Sequence, residues 1–163
     1  MTVRVEVATV ASDELLEGIN HLLPQLSSTA PLLTKADLER LVTSTAITVF
    51  VAFEGPTMLG TLTLVIFPIP TGLRAWIEDV VVDEGARGLG VGAALTNAAT
   101  AEAQRQGVRS VDLTSRPSRE AANALYKKLG FQLRETNVYR YSIEGWLLDS
   151  REAARSSDDI LEV

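Results

Sequence analysis

Hydrophobic positions along the chain recur in two periods, and the switches between them lay out a series of elements. Val3, Val5 and Val7 alternate with polar residues, which predicts a strand over residues 2–9. Leu15, Leu16, Ile19, Leu22 and Leu23 form a helical stripe behind a Ser12 cap, predicting a helix over 13–23 that Pro24 ends. Thr34 and Asp37 make a near capping box ahead of Leu38, Leu41 and Val42, so a second helix begins there. The stretch between, 25–33, is a loop placed to border a substrate site. β-rich runs follow over 47–53, 58–67 and 73–82. Turn chemistry at Glu54-Gly55-Pro56-Thr57 and a rigid loop over 68–72 separate them, which fits three consecutive antiparallel strands. Val91, Ala94, Leu95, Ala98 and Ala99 give a small-residue stripe for a helix over 90–106, stopped by Gly107. A short strand over 109–114 comes next, and a right-handed crossover makes it parallel to the strand over 73–82. A helix over 119–129 stops at Gly130, two last strands are expected over 131–134 and 137–143, and a helical turn is expected around Trp146-Leu147-Leu148.

Composition narrows the function classes. With 163 residues, 46% hydrophobic and 22% charged, the chain has the make-up of one globular domain. The net charge of −6 is uneven: residues 144–163 hold six acids and two bases, leaving a nearly neutral body without the basic stripe of a nucleic-acid binder. The absence of cysteine excludes disulfides, thiolate metal sites and a Cys nucleophile, and a single His excludes a multi-histidine metal site within one chain. Residues 55–73 carry no charge over 19 positions, close to a membrane span, but three prolines, three glycines and a Thr-Leu-Thr-Leu centre read as two strands and a turn. The first ten residues lack the apolar core of a signal peptide. A cytoplasmic protein without a membrane or nucleic-acid partner is expected.

The candidate chemistry lies where a strand passes through glycines into a helix: Ile77-Glu78-Asp79-Val80-Val81-Val82, then Arg87-Gly88-Leu89-Gly90-Val91-Gly92. Such a junction presents unpaired amide hydrogens and the positive end of a helix dipole to an anion, with no Cβ in the way. No Gly-Lys-Ser/Thr follows, so it is not a P-loop, and it comes too late in the chain for a dinucleotide fingerprint. Arg87-x-x-Gly90-x-Gly92 instead resembles the acetyl-CoA pyrophosphate loop of the GNAT (Gcn5-related N-acetyltransferase) superfamily. A second stretch, Asn123-Ala124-Leu125-Tyr126-Lys127-Lys128-Leu129-Gly130-Phe131, resembles the superfamily's other signature, in which Asn and Tyr lie three apart on one helix face ahead of Gly-Phe. The strand over 77–82 also looks like its counterpart in glucosamine-6-phosphate N-acetyltransferases.

The resemblance implies an α+β (α/β) GNAT fold: a mixed central sheet of about seven strands, helices on both faces and a splayed pair of parallel strands. It covers about 3–143, so residues 1–145 are expected to form one acetyltransferase domain and 146–163 an acidic tail. It further implies that the pantetheine arm of acetyl-CoA pairs with main chain at Val80, Val81 and Val82. The pyrophosphate then rests on amides of Arg87, Gly88, Leu89, Gly90, Val91 and Gly92, Asn123 holds the pantetheine end, and Tyr126 protonates the leaving thiolate. No metal is implied. The acceptor is a primary amine of a small molecule or peptide, and a homodimer is compatible with the family.

Acetyl transfer requires a deprotonated amine, donors for a tetrahedral oxyanion and a proton for the thiolate. Glu78 and Asp79 are the candidate bases, with a water relay as the third possibility. Strict alternation puts Glu78 with Trp76, Val80 and Val82, and Asp79 with Ile77 and Val81, unless a bulge intervenes. Bland readings stand beside these. The glycines also suit any tight turn, Arg87 a solvated cation, Tyr126 a core aromatic, Asn123 a surface amide, and both acids structural ties. His21 and Trp76 read as structural, and Arg116 and Arg119 as solvated or ion-paired. The rival to an enzyme is a non-catalytic acyl-CoA-binding module on the same fold.

Overall fold

The structure, a computed structural model, describes residues 2–143. The chain divides into two compact units, residues 1–132 and 133–163. In the first, the order is β1 (Arg4–Val7), α1 (Asp13–Leu26), α2 (Lys35–Thr43), β2 (Ile47–Glu54), β3 (Thr57–Ile69), β4 (Gly72–Val82), a 3-10 turn (Glu84–Ala86), α3 (Val91–Arg105), β5 (Val111–Asp112) and α4 (Glu120–Lys128). Among the described residues the sheet has five strands in sequential order, antiparallel from β1 to β4 and parallel between β4 and β5.

Alternation along β2 sorts its side chains to two cores. Phe50 and Ala52 pack with Leu62, Leu64, Ala75 and Ile77 beneath Val91, Leu95, Ala99 and Ala103 of α3. Val49 and Val51 pack beneath Leu15 and Ile19 of α1 and Leu38 of α2. The helices therefore cover both sheet faces, as expected. Thr96 is also fully buried on α3, and its hydroxyl donates to the Gly92 carbonyl at 2.8 Å, so no polar atom is left unsatisfied there.

Local chemistry explains most element ends. Ser12 caps α1 by accepting from the Leu15 amide at 3.1 Å. Thr34 and Asp37 form a complete, reciprocal capping box on α2. Pro24 does not end α1, which runs on to Leu26. Only Gln25 and Leu26 follow Pro24 within the helix, and the Ser27 amide still reaches the Leu23 carbonyl at 3.0 Å, so the final turn closes around the ring. Asn20 then pins the following loop, its amide nitrogen donating to the Leu33 carbonyl at 3.0 Å and its oxygen accepting from the Leu33 amide at 2.8 Å.

Residues 68 and 69 belong to β3 rather than to a loop, and the turn to β4 is two residues long. Pro68 fits there because β2 pairs with β3 only as far as Val65, so no ladder bond is demanded on that side. The two last strands do not form among the described residues: 131–134 and 137–143 carry no strand. An alternating run becomes a strand only where a ladder accepts it, and Leu133, Val138, Tyr139, Tyr141 and Ile143 are exposed. Trp146 to Leu148 and the acidic tail lie outside the described residues.

Candidate active site

β4 and β5 pair only at Ala75↔Val111 and Trp76↔Asp112, while β4 continues to Val82. An Arg74–Asp112 ion pair clips the two strands at that point. Beyond it the pairing ends, and β4 runs on through Val80 to Val82 past the last residue of β5.

A bulge sits at its mouth. Thr61 pairs with Val81 and Thr63 with Glu78, so Leu62 opposes both Asp79 and Val80. Asp79 takes φ 49°, the left-handed region, which Asp tolerates better than most residues. The extra residue reverses the alternation. Ala75 and Ile77 face the α3 core before the bulge, and Val80 and Val82 face it afterwards. Strict alternation is thus corrected: Glu78 shares a face with Trp76 but not with Val80 or Val82. Glu78 and Asp79 are both exposed.

Past Val82 the chain turns into α3. Gly88 and Gly90 have φ of 77° and 84°, which explains why no side chain stands there. A Cβ on either would meet nothing within 4 Å, so open space lies over both. Gly90 is the N-cap of α3, no side chain bonds the first-turn amides, and no acid lies in that turn. The positive end of a fifteen-residue helix is therefore bare and uncompensated. Gly92 has a different reason: a Cβ there would sit 3.1 Å from Leu125 of α4 and 3.8 Å from Val82. The missing side chain lets α4 close on α3 and β4. Arg87 and Leu89 are exposed at the loop's crest, between buried Ala86 and Val91.

α4 ends in a Schellman turn. Gly130 has φ 94°, and the Phe131 amide reaches back to the Tyr126 carbonyl at 3.0 Å. That wrap brings the Phe131 ring edge-on to Tyr126, centroids 5.8 Å apart, while Phe131 also packs on the α3 core. Gly-Phe is thus the device that fixes the Tyr126 ring. Burial pushes the Tyr126 phenol above its ordinary pKa of 10.0, opposed by the Arg119 guanidinium, so the phenol is protonated at neutral pH. Asn123 is committed in part: its amide nitrogen donates to the Arg116 carbonyl at 2.9 Å and ties down the loop before α4. Ser115, three residues beyond β5, has a buried hydroxyl without a hydrogen-bond partner. A serine among arginines and a proline gave no sequence signal for it.

Asp83 anchors the start of the glycine loop. Its Oδ1 accepts from the Gly85 amide at 2.9 Å, and its Oδ2 accepts from Gln25 at 3.0 Å and lies 3.2 Å from His21 Nε2. His21 is thus a structural tie, as expected, though an exposed one. The Gln25 hydrogen bond, then the Gly85 amide and His21, hold the Asp83 carboxyl below its ordinary range. Asp37 is lowered by its Thr34 hydrogen bonds, and Glu102 by Arg105 and Gln106. All three carboxyls bind protons more weakly folded than unfolded, so their stabilisation is present above their ordinary pKa values and lost as pH falls through the lowered ones. Denaturation midpoints should be flat from neutrality to about pH 5 and fall below about pH 4, with a shallower fall in Asp83→Asn.

The model of the acetyltransferase (GNAT) family matches residues 15–131. The chain belongs to that family. A solved structure described as a "putative acetyltransferase" from Agrobacterium tumefaciens is 28% identical with a TM-score of 0.77, covering 85% of this chain and 99% of that one. Glucosamine-6-phosphate N-acetyltransferase from Arabidopsis thaliana shares the fold at 20% identity and a TM-score of 0.73, covering 86% of this chain and 99% of that one. An uncharacterized N-acetyltransferase from Methanocaldococcus jannaschii is 37% identical over 73 residues, 45% of this chain. The match spans 30% of that curated relative's length. Among the described residues of this GNAT chain there is no cluster of acids and histidines able to hold a metal, and no helix long and apolar enough to cross a membrane.

Proposed function

We propose that this GNAT chain transfers the acetyl group of acetyl-CoA to a primary amine by direct attack. The supporting observation is that the end of β4, unpaired by β5 beyond Trp76, lies against the N-terminus of α3, whose cap is a glycine. The amides of Gly88, Gly90, Val91 and Gly92 suit the pyrophosphate, while those of Arg87 and Leu89 already make long 3.4 Å bonds to the Glu84 and Ala86 carbonyls, and main chain at Val80 to Val82 suits the pantetheine arm, which can add as a short strand beside β4. Asn123 keeps an amide oxygen for the same arm.

The amine nitrogen attacks the thioester carbonyl, the tetrahedral oxyanion takes a hydrogen bond from backbone N–H near Val80, and the carbon–sulfur bond breaks. Tyr126 gives its proton to the departing sulfur. Much of the rate comes from holding two reactants together, for which about 7–11 kcal/mol is the favourable limit. The amine's own proton passes to Glu78. Replacing Glu78 with Gln lowers kcat/KM at neutral pH by about 10²-fold, whereas Asp79→Asn lowers it less than threefold. Equal small losses in both assign the proton to a water relay.

The acceptor is a small-molecule or peptide amine. The test is thiol release from acetyl-CoA over a panel of aminosugars, polyamines, arylalkylamines and peptides, with calorimetry of CoA binding in parallel. Turnover of at least one amine is expected. Tight CoA binding with no turnover across the panel assigns a non-catalytic acyl-CoA-binding module instead, and absence of both overturns the reading.

A further inference from the structure

Gln25 lies in the last turn of α1, the turn that continues past Pro24. Both arms of its amide are used on the segment that opens the donor loop. Nε2 donates to Asp83 Oδ2 at 3.0 Å, and Oε1 accepts from the Glu84 amide at 2.9 Å. His21, one helical turn earlier on the same face, reaches the same Oδ2 at 3.2 Å. Asp83 uses its other oxygen on the Gly85 amide at 2.9 Å, and its own amide donates to the Leu59 carbonyl of β3 at 2.8 Å. Ala86, next along, is buried in the α3 core. The residues leading into the glycines are therefore tied to α1, to β3 and to the core at once. After Ala86, residues Arg87 to Gly90 are exposed until Val91 is buried again.

We infer that Gln25 and Asp83 are positioning residues that set, from α1, the orientation of the loop that takes the pyrophosphate of acetyl-CoA. The inference rests on the proposed function and extends it. Neither residue touches the donor. Each acts through the backbone of residues 84–90, and an exposed stretch of four residues strung between fixed points has little freedom to recover if one point is released. The same helix holds the 27–33 loop through the paired Asn20–Leu33 bonds, so one rigid element carries a donor-side loop and a second loop.

The chemistry of the bracket provides a reciprocal test. In Gln25→Glu a carboxylate faces the Asp83 carboxylate. In Asp83→Asn an amide nitrogen faces the Gln25 amide nitrogen. Combined, Gln25→Glu with Asp83→Asn restores complementarity: the new carboxylate accepts from the Asn nitrogen and from the Glu84 amide, while the Asn oxygen still accepts from Gly85. Acetyl-CoA affinity by calorimetry, KM and kcat are measured on all four proteins, with amide hydrogen exchange over residues 84–92. Each single variant is expected to bind acetyl-CoA at least tenfold more weakly, with a raised KM, kcat at saturation within twofold and faster exchange in the loop. The double variant is expected within threefold of wild type on every measure. Wild-type affinity in the singles, or a double variant no better than the weaker single, overturns the inference while leaving the proposed function intact. A wild-type chain that binds no acetyl-CoA overturns both.

Discussion

Tyr126→Phe is expected to lower kcat by about 10²-fold while the affinity for acetyl-CoA stays within twofold. Burial raises the phenol pKa and outweighs Arg119, so at neutral pH the hydroxyl carries its proton, which is the form an acid must have. A thiol with a pKa of about 8.5 leaves as thiolate and can take that proton. The phenylalanine ring keeps the edge-on contact with Phe131 and its place on α4, so the fold should survive unchanged. A pH profile separates the acid role from packing. The acid form of Tyr126 exists below its raised pKa, so the wild-type alkaline limb from this group lies above about pH 10 and disappears in the variant. Circular dichroism and steady-state kinetics on the two proteins check this. An unchanged kcat would remove Tyr126 from the chemistry and leave it as the aromatic that Phe131 packs against.

Gly60→Val is expected to destabilise the chain by about 3 kcal/mol or more and to abolish measurable acetyl-CoA binding at ordinary ligand concentrations. A Cβ at Gly60 would stand 2.7 Å from the Val81 carbonyl oxygen, 3.2 Å from Leu95 and 3.3 Å from Val91. The first of these is backbone and cannot swing aside. Gly60 pairs with Val82, next to the bulge, and the two side chains it admits are the first buried residues of α3. Enlarging it pushes α3 off β4 at the place where the helix N-terminus meets the opening. Chemical denaturation measures the stability loss. Calorimetry at a temperature where the variant is still folded separates a displaced helix end from simple unfolding. Near-native stability with full affinity would mean that α3 does not need this close approach.

Much of the candidate site's local geometry is legible in the sequence because its signals are local. A glycine that must adopt positive φ, as Gly88, Gly90 and Gly130 do, is visible as a letter. So are the helix caps at Ser12 and Thr34, which act over three residues. Asn123 and Tyr126 share a helix face by spacing alone. The bulge was harder to read. It depends on which residue of β3 stands opposite Asp79, a relation across a hairpin, and it reversed the face assigned to Val80 and Val82. Pro24 misled because its cost is one lost bond near a helix end, and a closing bond from Ser27 overrode it.

The two final strands failed for a related reason. Alternation in 137–143 states a preference for extended chain, but a strand also needs an edge to pair with. β5 offers a ladder of only two residues on its β4 side. Gly60, Gln25 and Asp83 carry no family lettering, and contacts 21 or more residues away in the chain reveal their roles.

By itself the sequence determined the order of helices and strands as far as α4, the family, and a glycine turn ahead of a Tyr-bearing helix, because periodicity, caps and positive-φ glycines act within a turn or two of chain. Only the tertiary structure decided where the pairing of β4 with β5 ends, which face Glu78 occupies and what grips the segment leading into the glycines. Those depend on register and on side chains distant in sequence, and the free energy that selects them exists only once the layers have closed.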